Sequence, residues 1–216
     1  MRRRLAIVNQ TVQNEKMARP IEFDRSKALN HALVLFWRKG YQATSLADLL
    51  NAMDIGRSSF YAAFGDKRSL FVECLDLFSD RTRDVLQRTC AGKPPIEALQ
   101  DFFERNVVGV DGAGAVRRHW GCMLVNTVLE MAGVDDGLAA HASRRMAGMQ
   151  RFFEDRLQEA GATAARAEEL AEMLVLFNEG VRVSSRRRLP DAHHVRPIDT
   201  LFRLIRLAIT EPALER

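Results

Sequence analysis

Six side chains between positions 44 and 67 belong to the types that contact nucleic acid. They combine hydroxyl groups with positive charges and are Thr44, Arg57, Ser58, Ser59, Tyr61 and Lys67. Hydroxyls and cations are the usual partners of phosphate oxygens, and the same groups can reach the edges of bases in a groove. The chemistry they offer is therefore non-covalent binding to a polyanion, provided that the fold holds them on one surface.

The sequence around these side chains has the periodicity of short helices. Apolar residues recur at three- and four-residue spacing over 25–38, with Asp24 as a predicted N-cap and Gly40 as a predicted C-cap. The stretch 45–48 has the Ser-x-x-Asp form of a capping box and opens a second helix. Gly56 then breaks the pattern before a third helix. This order predicts a helix-turn-helix unit.

The third predicted helix has two chemically different faces. Phe60 and Phe64 lie at positions i and i+4, which allows one face to pack into a core. The leading residues 57–59 are small or cationic and leave the N-terminal end polar. A helix that enters the major groove needs this arrangement. Lys67 opens the next helix, where unpaired N–H groups also favour a phosphate.

Helical periodicity continues through the rest of the chain, first from residue 67 toward residue 90. Further helices are predicted at about 95–108, 120–132, 136–160, 164–187 and 198–210, with loops at 109–115 and 189–197. No segment alternates apolar and polar residues as a half-buried strand would. The sequence therefore predicts an all-α fold, with a helix-turn-helix domain over 19–68 and a larger helical domain over 69–216.

Composition and charge indicate that the N-terminal part meets a polyanion. Apolar residues make up 47% and charged residues 28% of the chain, as in ordinary globular proteins. Residues 1–83 hold 14 Lys and Arg against 9 Asp and Glu, whereas the remainder holds 18 against 19. A basic front joined to a neutral body favours contact through the front. Residues 1–18 are predicted to be a flexible extension, part of which lies upstream of the start if Met17 is the natural first residue.

Other function classes find little support in the sequence. Cys74, Cys90 and Cys122 have neither disulfide nor metal-ligand spacing, so we expect no metal or cofactor and a reducing, cytoplasmic setting. No apolar run reaches the roughly 18 residues of a membrane span. No Gly-rich phosphate loop, His-Glu-x-x-His helix or Gly-x-Ser-x-Gly turn indicates an enzyme. A sequence-neutral DNA-packaging protein would explain the basic front but not the neutral, aromatic-bearing second half.

The order of residues over 20–78 resembles the TetR family of bacterial regulators. The resemblance rests on Phe36-Trp37-Arg38-Lys39-Gly40-Tyr41-Gln42-Ala43-Thr44-Ser45-Leu46, followed by Gly56-Arg57-Ser58-Ser59-Phe60-Tyr61-Ala62-Ala63-Phe64-Gly65-Asp66-Lys67. It implies an N-terminal DNA-binding domain, a helical ligand-binding and dimerisation domain, a homodimer, and repression that ends when an effector binds. It also implies phosphate contacts from Thr44, Tyr61 and Lys67, base-facing positions at 57–59, and a minor-groove arm at Arg19.

Two long helices of the second half carry wide apolar stripes. In 164–187 the stripe includes Leu170, Leu174, Phe177 and Val181, and in 136–160 it includes Leu138, Ala142, Phe153 and Leu157. Stripes wider than one core requires suggest burial against the protein on one side and against a partner on the other. The resemblance implies a four-helix interface between two copies. The alternative is a monomeric bundle core.

The sequence leaves two kinds of effector site open. Cys122 lies near a predicted helix start, where the dipole can lower the pKa of a thiol. It also resembles cysteines that sense electrophiles in some branches of the family. The alternative is that Cys122 is an inert core residue. A small-molecule pocket would lie among helices 95–132 and 164–182. Its candidate lining residues are Phe102, Phe103, Trp120, Cys122, Met123, Asn126, Glu130, Phe177 and Asn178.

Overall fold

The computed structural model describes residues 23–108, 118–187, 190 and 192–210. This part of the chain contains α-helices and one short 3-10 helix, Arg118–Trp120, but no strand. The helices are α1 (Arg25–Lys39), α2 (Leu46–Met53), α3 (Arg57–Phe64), α4 (Lys67–Cys90), α5 (Pro95–Val108), α6 (Met123–Met131), α7 (Asp136–Glu159), α8 (Ala164–Ser185) and α9 (Ala192–Thr210). The all-α prediction is confirmed.

Local signals define the first two helices. Asp24 caps α1 by accepting a hydrogen bond from the Lys27 N–H at 3.0 Å, and Gly40 ends it with φ of 87°. Ser45 and Asp48 form both hydrogen bonds of a capping box at the start of α2. Hydrogen bonds from Lys39 and then from Ser45 hold the pKa of the Asp48 carboxyl below its usual range. These interactions satisfy N–H groups that a helix start otherwise leaves unpaired.

Substitution of Ser45 by alanine is expected to lower the free energy of unfolding by about 1 kcal/mol, because α2 then loses its N-cap. Chemical denaturation followed by circular dichroism measures the change. Ser143→Ala is the matched control, since the Ser143 hydroxyl donates to the Ala139 carbonyl inside α7 and caps no helix. An equal loss in both variants would contradict a capping role for Ser45.

One aromatic cluster joins the head, α1 to α3, to the first part of α4. Phe36, Phe60, Phe64 and Phe71 are buried there, and the rings of Phe36 and Phe71 meet edge to face at 4.8 Å. Because α4 runs without interruption from Lys67 to Cys90, it carries this packing into the body. The head and the body therefore share a rigid element.

A second aromatic cluster organises the body, α5 to α9. The ring of Phe103 lies 5.8 Å from Phe153, 5.9 Å from Phe177 and 5.5 Å from Phe202, measured between centroids. These residues come from four different helices, α5, α7, α8 and α9. The cluster fixes how those helices pack.

The last helix differs from its prediction. It begins at Ala192, not near residue 198, and includes Pro197. The sequence indicated a break there because proline removes a backbone donor from a helix. In the structure His194 is buried beside Ser184, and Ile198 is fully buried, so tertiary packing outweighs the local cost of the proline.

Several predictions concern residues outside the described part of the chain. These are the extension at 1–18 with Met17, the arm residue Arg19 and the loop at 109–115. Among the described residues, none of the helices is both long enough and apolar enough to cross a membrane. The described residues likewise contain no group of three or more side chains placed to hold a metal ion.

Candidate DNA-binding surface and effector cavity

Helix α3 presents the polar end that its sequence predicts. Phe60 and Phe64 are buried and fix the inner face of the helix. Arg57 and Ser58 are exposed at its N-terminus, and Ser59 is half-buried. Tyr61 is 48% exposed, and its ring stands edge to face on Phe60 at 5.4 Å. A hydroxyl and a cation therefore stand on a firmly packed support.

Lys67 lies where α4 begins, next to the head. Its Nζ atom is 4.4 Å from the centroid of the Tyr41 ring, a cation–π contact. Burial lowers the pKa of the Lys67 ammonium, while the carboxylates of Glu130 and Asp48 act in the opposite direction. The ring and the carboxylates hold a positive charge at one place on the surface.

The structure corrects the predicted role of the Thr44 side chain. Thr44 is fully buried, and its hydroxyl donates a 2.6 Å hydrogen bond to the Gly40 carbonyl. Its hydroxyl therefore stabilises the turn between α1 and α2 and does not face solvent. The neighbouring Ser45 is exposed at the start of α2 and carries the hydroxyl that faces outward. The capping-box pattern predicts Ser45 as the N-cap of α2. Only the structure shows that Thr44 is buried whereas Ser45 is exposed.

Glu130 joins the body to the head. Its carboxylate accepts hydrogen bonds from the backbone N–H groups of Tyr41 at 3.0 Å and Gln42 at 2.8 Å. A Cβ at Gly40 would lie 3.0 Å from this carboxylate, and the positive φ of Gly40 also favours glycine. The turn after α1 therefore packs directly on the C-terminal end of α6.

A second contact fixes α1 to the start of α6. The Trp37 indole donates to the Gly121 carbonyl at 3.0 Å, and its ring meets Trp120 edge to face at 5.4 Å. A Cβ on Gly121 would come within 3.2 Å of the Arg182 carbonyl, and φ there is 74°. These residues form part of the joint between head and body.

An ion pair completes the joint. Arg68 donates to both carboxylate oxygens of Asp135, at 2.9 and 3.2 Å. Asp135 also accepts from the Leu138 N–H at 3.0 Å and so caps α7. The Arg68 hydrogen bonds, followed by the one from Leu138, lower the pKa of the Asp135 carboxyl. No local pattern in the sequence indicates this pair, because its two residues lie 67 positions apart.

The predicted effector residues do not converge on one pocket. Phe102 and Phe103 are core residues, and Phe177 packs on Phe103. Trp120 belongs to the joint with Trp37. Met123, Asn126 and Glu130 line a cleft of about 310 Å³ between α1 and α6. Cys122 and Asn178 line a different cavity of about 350 Å³. The single predicted pocket is therefore divided between a core, a joint and two separate spaces.

The second space, here called the arginine cavity, lies between α4, the start of α6, α7 and α8. Its apolar walls include Phe78, Leu86, Leu124, Met149 and Phe152, and its charged lining comprises Arg83, Arg144, Arg145, Arg151, Arg182 and Asp155. Cys122 is the N-cap residue of α6 and is buried at this wall. The arginines were not among the predicted lining residues. Positions 144, 148, 151 and 155 nevertheless have the spacing of one helix face, and two of them are arginines.

The exposed apolar side chains of the body lie mainly on the last two helices. On α8 they are Met173, Leu176 and Val183, and on α9 they are Leu204 and Leu207; the others are Leu129 on α6 and Val134 in the turn before α7. Of the wide apolar stripes, which the sequence predicted to be shared between the core and a partner, Leu174 on α8 and Phe153 on α7 are fully buried within the chain. The exposed apolar side chains that a partner could cover thus lie on α8, which the sequence predicted as an interface helix, and on α9, which it did not.

Two protein-family models match the chain. The one described as "Bacterial regulatory proteins, tetR family" matches residues 28–74. The one described as "Transcriptional regulator LmrA/YxaF-like, C-terminal domain" matches residues 95–191. The first covers the part that carries α3, and the second covers most of the body.

Relatives of known name extend over much of the chain. The HTH-type transcriptional repressor ComR of Escherichia coli is 32% identical over 177 residues, covering 78% of this chain and 82% of ComR. The uncharacterized HTH-type transcriptional regulator YezE of Bacillus subtilis is 31% identical over 138 residues, covering 63% of this chain and 70% of YezE. These relatives are transcriptional regulators and not enzymes.

Solved structures share the fold. The TetR family regulator CifR, as a cysteine mutant complexed with 26-base-pair operator DNA, has a TM-score of 0.76 and 27% identity. The match covers 86% of this chain and 98% of CifR. A TetR-family regulator from Cytophaga hutchinsonii gives a TM-score of 0.74 at 20% identity over 87% of this chain and 96% of that chain, which shows the fold alone.

Proposed function

This chain belongs to the TetR family of bacterial transcriptional regulators, and on that basis we propose that it is a ligand-responsive cytoplasmic repressor. It binds a pseudo-palindromic operator as a homodimer and releases the operator when an effector binds. The observation that carries this proposal is the exposed, polar N-terminal end of α3 on a buried Phe60–Phe64 support. CifR has been solved with operator DNA, and ComR is named a repressor.

The head divides its contacts between phosphates and bases. Arg57, Ser58 and Ser59 lie at the end of α3 that enters the major groove and face the bases. Tyr61 and Lys67 bind phosphates and set the position of α3. Thr44 supports the turn from within the core, whereas Arg19, which lies outside the described residues, serves as a minor-groove arm.

Two copies are needed because one recognition helix reads only a half-site. The exposed apolar face of α8 and α9 supports pairing of these helices across a two-fold axis. Burial of Leu176, Val183, Leu204 and Leu207 against a second copy removes apolar area from water. A pseudo-palindromic operator matches that symmetry.

Two helices connect the arginine cavity with the head. Helix α4 lines the cavity at Phe78 and Leu86 and carries Lys67 at its other end. Helix α6 begins at the cavity beside Cys122 and carries Glu130, which binds the turn after α1, in its last turn. A ligand that moves either helix changes the angle of the head and separates the two recognition helices. The burial of Cys122 favours a bound small molecule over an electrophile that attacks the thiol.

A footprint on DNA selected from the source genome tests the proposed function. We expect one protected pseudo-palindrome, bound by wild-type protein. Lys67→Gln is expected to weaken binding to all operators alike and to reduce the slope of log affinity against log salt by about one unit, because one phosphate contact is lost.

Lys93→Gln is the control, since it removes the same charge from an exposed position in the body. An unchanged affinity and salt slope in Lys67→Gln would count against the phosphate contact. Uniform protection along the DNA would instead indicate a packaging protein and overturn the repressor assignment.

A further inference from the structure

The arginine cavity has the size of a small-molecule site. Its volume is about 350 Å³, at the lower end of the roughly 300–1,000 Å³ that ligand pockets occupy. Phe78, Met149 and Phe152 supply flat or flexible apolar walls. The space can therefore accept one compact organic molecule with an apolar body.

Positive charge predominates at the cavity. Arg145 is paired with Asp76 at 2.7 Å, and Arg83 is paired with Asp80. Arg144 and Arg151 line the cavity from exposed positions and form no ion pair with any residue that the structure describes. The cavity lining itself contributes a single carboxylate, Asp155. An anionic group that enters would be attracted by this surplus charge.

Asn178 supplies a second feature that points to a ligand. It is only 5% exposed and lines the cavity from α8. Its amide nitrogen lies 3.6 Å from the Met149 sulfur, whereas its Oδ1 atom has no hydrogen-bond partner in the described part of the chain. A buried acceptor without a partner is unfavourable, so a donor on a bound molecule would satisfy it.

Gly148 is exposed and marks a place where the cavity opens to solvent. It lies in the middle of α7 and lines the cavity. A Cβ at this position would meet no atom within 4 Å. Packing therefore does not require glycine here, although glycine is unfavourable inside a helix. Its absent side chain leaves the cavity open.

We propose that the arginine cavity binds a small organic carboxylate that also carries a hydroxyl or amine donor. The carboxylate lies against the arginines, the apolar body lies between Phe78 and Phe152, and the donor group bonds to Oδ1 of Asn178. This inference rests on the proposed function, because the bound carboxylate is the effector that releases the operator.

Isothermal titration of the DNA-free protein tests the chemistry with defined probes. The probes are the three hydroxybenzoate isomers, benzoate, and the corresponding neutral hydroxybenzamides. We expect at least one hydroxybenzoate to bind about tenfold more tightly than benzoate, the ratio that one satisfied buried acceptor provides. We expect its neutral amide to bind at least about tenfold more weakly than that hydroxybenzoate, because it lacks the charge.

Two variants assign the binding to this cavity. Asn178→Leu keeps a similar volume, removes the unpaired oxygen and is expected to reduce the hydroxybenzoate-to-benzoate ratio to about one. Gly148→Leu places an apolar side chain where the cavity opens and is expected to weaken binding of every probe. Ser143→Ala is the control, since Ser143 lies on α7 outside the cavity lining, and it is expected to bind the probes as wild type does.

Three results would overturn the proposal: no probe binds, acid and amide bind equally, or Asn178→Leu leaves the ratio unchanged. None of these depends on DNA. Specific footprinting without probe binding would retain the repressor and reject the carboxylate site. Probe binding without a specific footprint would retain the site and reject the repressor.

Discussion

Replacement of Leu176 by glutamate is expected to convert the proposed dimer into a monomer and to lower operator affinity by roughly 100-fold or more. Leu176 is 69% exposed in the single chain and lies among the apolar residues of α8 and α9. Two carboxylates, one from each copy, would be taken out of water at the interface without partners. A monomer also loses the second head, whose linkage raises avidity by about 10² to 10⁴.

Analytical ultracentrifugation gives the oligomeric state, and titration of labelled operator gives the affinity. Val85→Glu is the matched control, because Val85 is another exposed apolar residue but lies on α4. We expect Val85→Glu to remain a dimer with wild-type affinity. A dimeric Leu176→Glu variant would place the interface away from this part of α8 and would favour α7, the other helix that the sequence indicated.

The head was predicted well because its signals are local. Capping residues such as Asp24 and Ser45 lie within three positions of the N–H groups they bind. The pair Phe60 and Phe64 defines the buried face of α3 by spacing alone. These short-range relations specify both the helices and the polar end of α3, so a helix-turn-helix can be inferred without knowledge of the body.

Local signals do not predict which side chains the tertiary fold buries. Thr44 and Ser45 are adjacent hydroxyl residues at a helix start, yet only the packing of α1 against α2 places Thr44 in the interior. Pro197 indicated a helix break, but the buried residues on either side of it extend α9. In each case distant contacts outweigh a local preference.

The lining of the arginine cavity could not be predicted either, because its residues come from distant parts of the sequence. The pocket residues were predicted from their chemical type, but aromatic residues such as Phe102 and Phe103 are buried in the hydrophobic core. The charged lining comes from three helices, α4, α7 and α8, so its members are distant in the sequence. Asn178, a predicted pocket residue, lies at a cavity, but the lack of a partner for its oxygen depends on neighbours that only the fold supplies.

Substitution of Glu130 by glutamine is expected to weaken the joint between head and body. The Glu130 carboxylate offers an acceptor to each of two backbone N–H groups, those of Tyr41 and Gln42. Glutamine offers one acceptor and places an N–H₂ group against the other donor. Since hydrogen bonds to a charged group contribute about 1.5–3 kcal/mol each, we expect the free energy of unfolding to fall by about 2 kcal/mol.

Amide hydrogen exchange reads this joint directly, because the two N–H groups bound by Glu130 are themselves the probes. We expect protection of the Tyr41 and Gln42 amides to fall about tenfold or more, while amides in the core of α8 change only with the global stability. Glu168→Gln is the control, since Glu168 is exposed on α8. If both amides keep wild-type protection in Glu130→Gln, then α6 does not hold the head through this carboxylate. The route from the arginine cavity to the operator must then run through α4 or through the contact of Trp37 with Gly121.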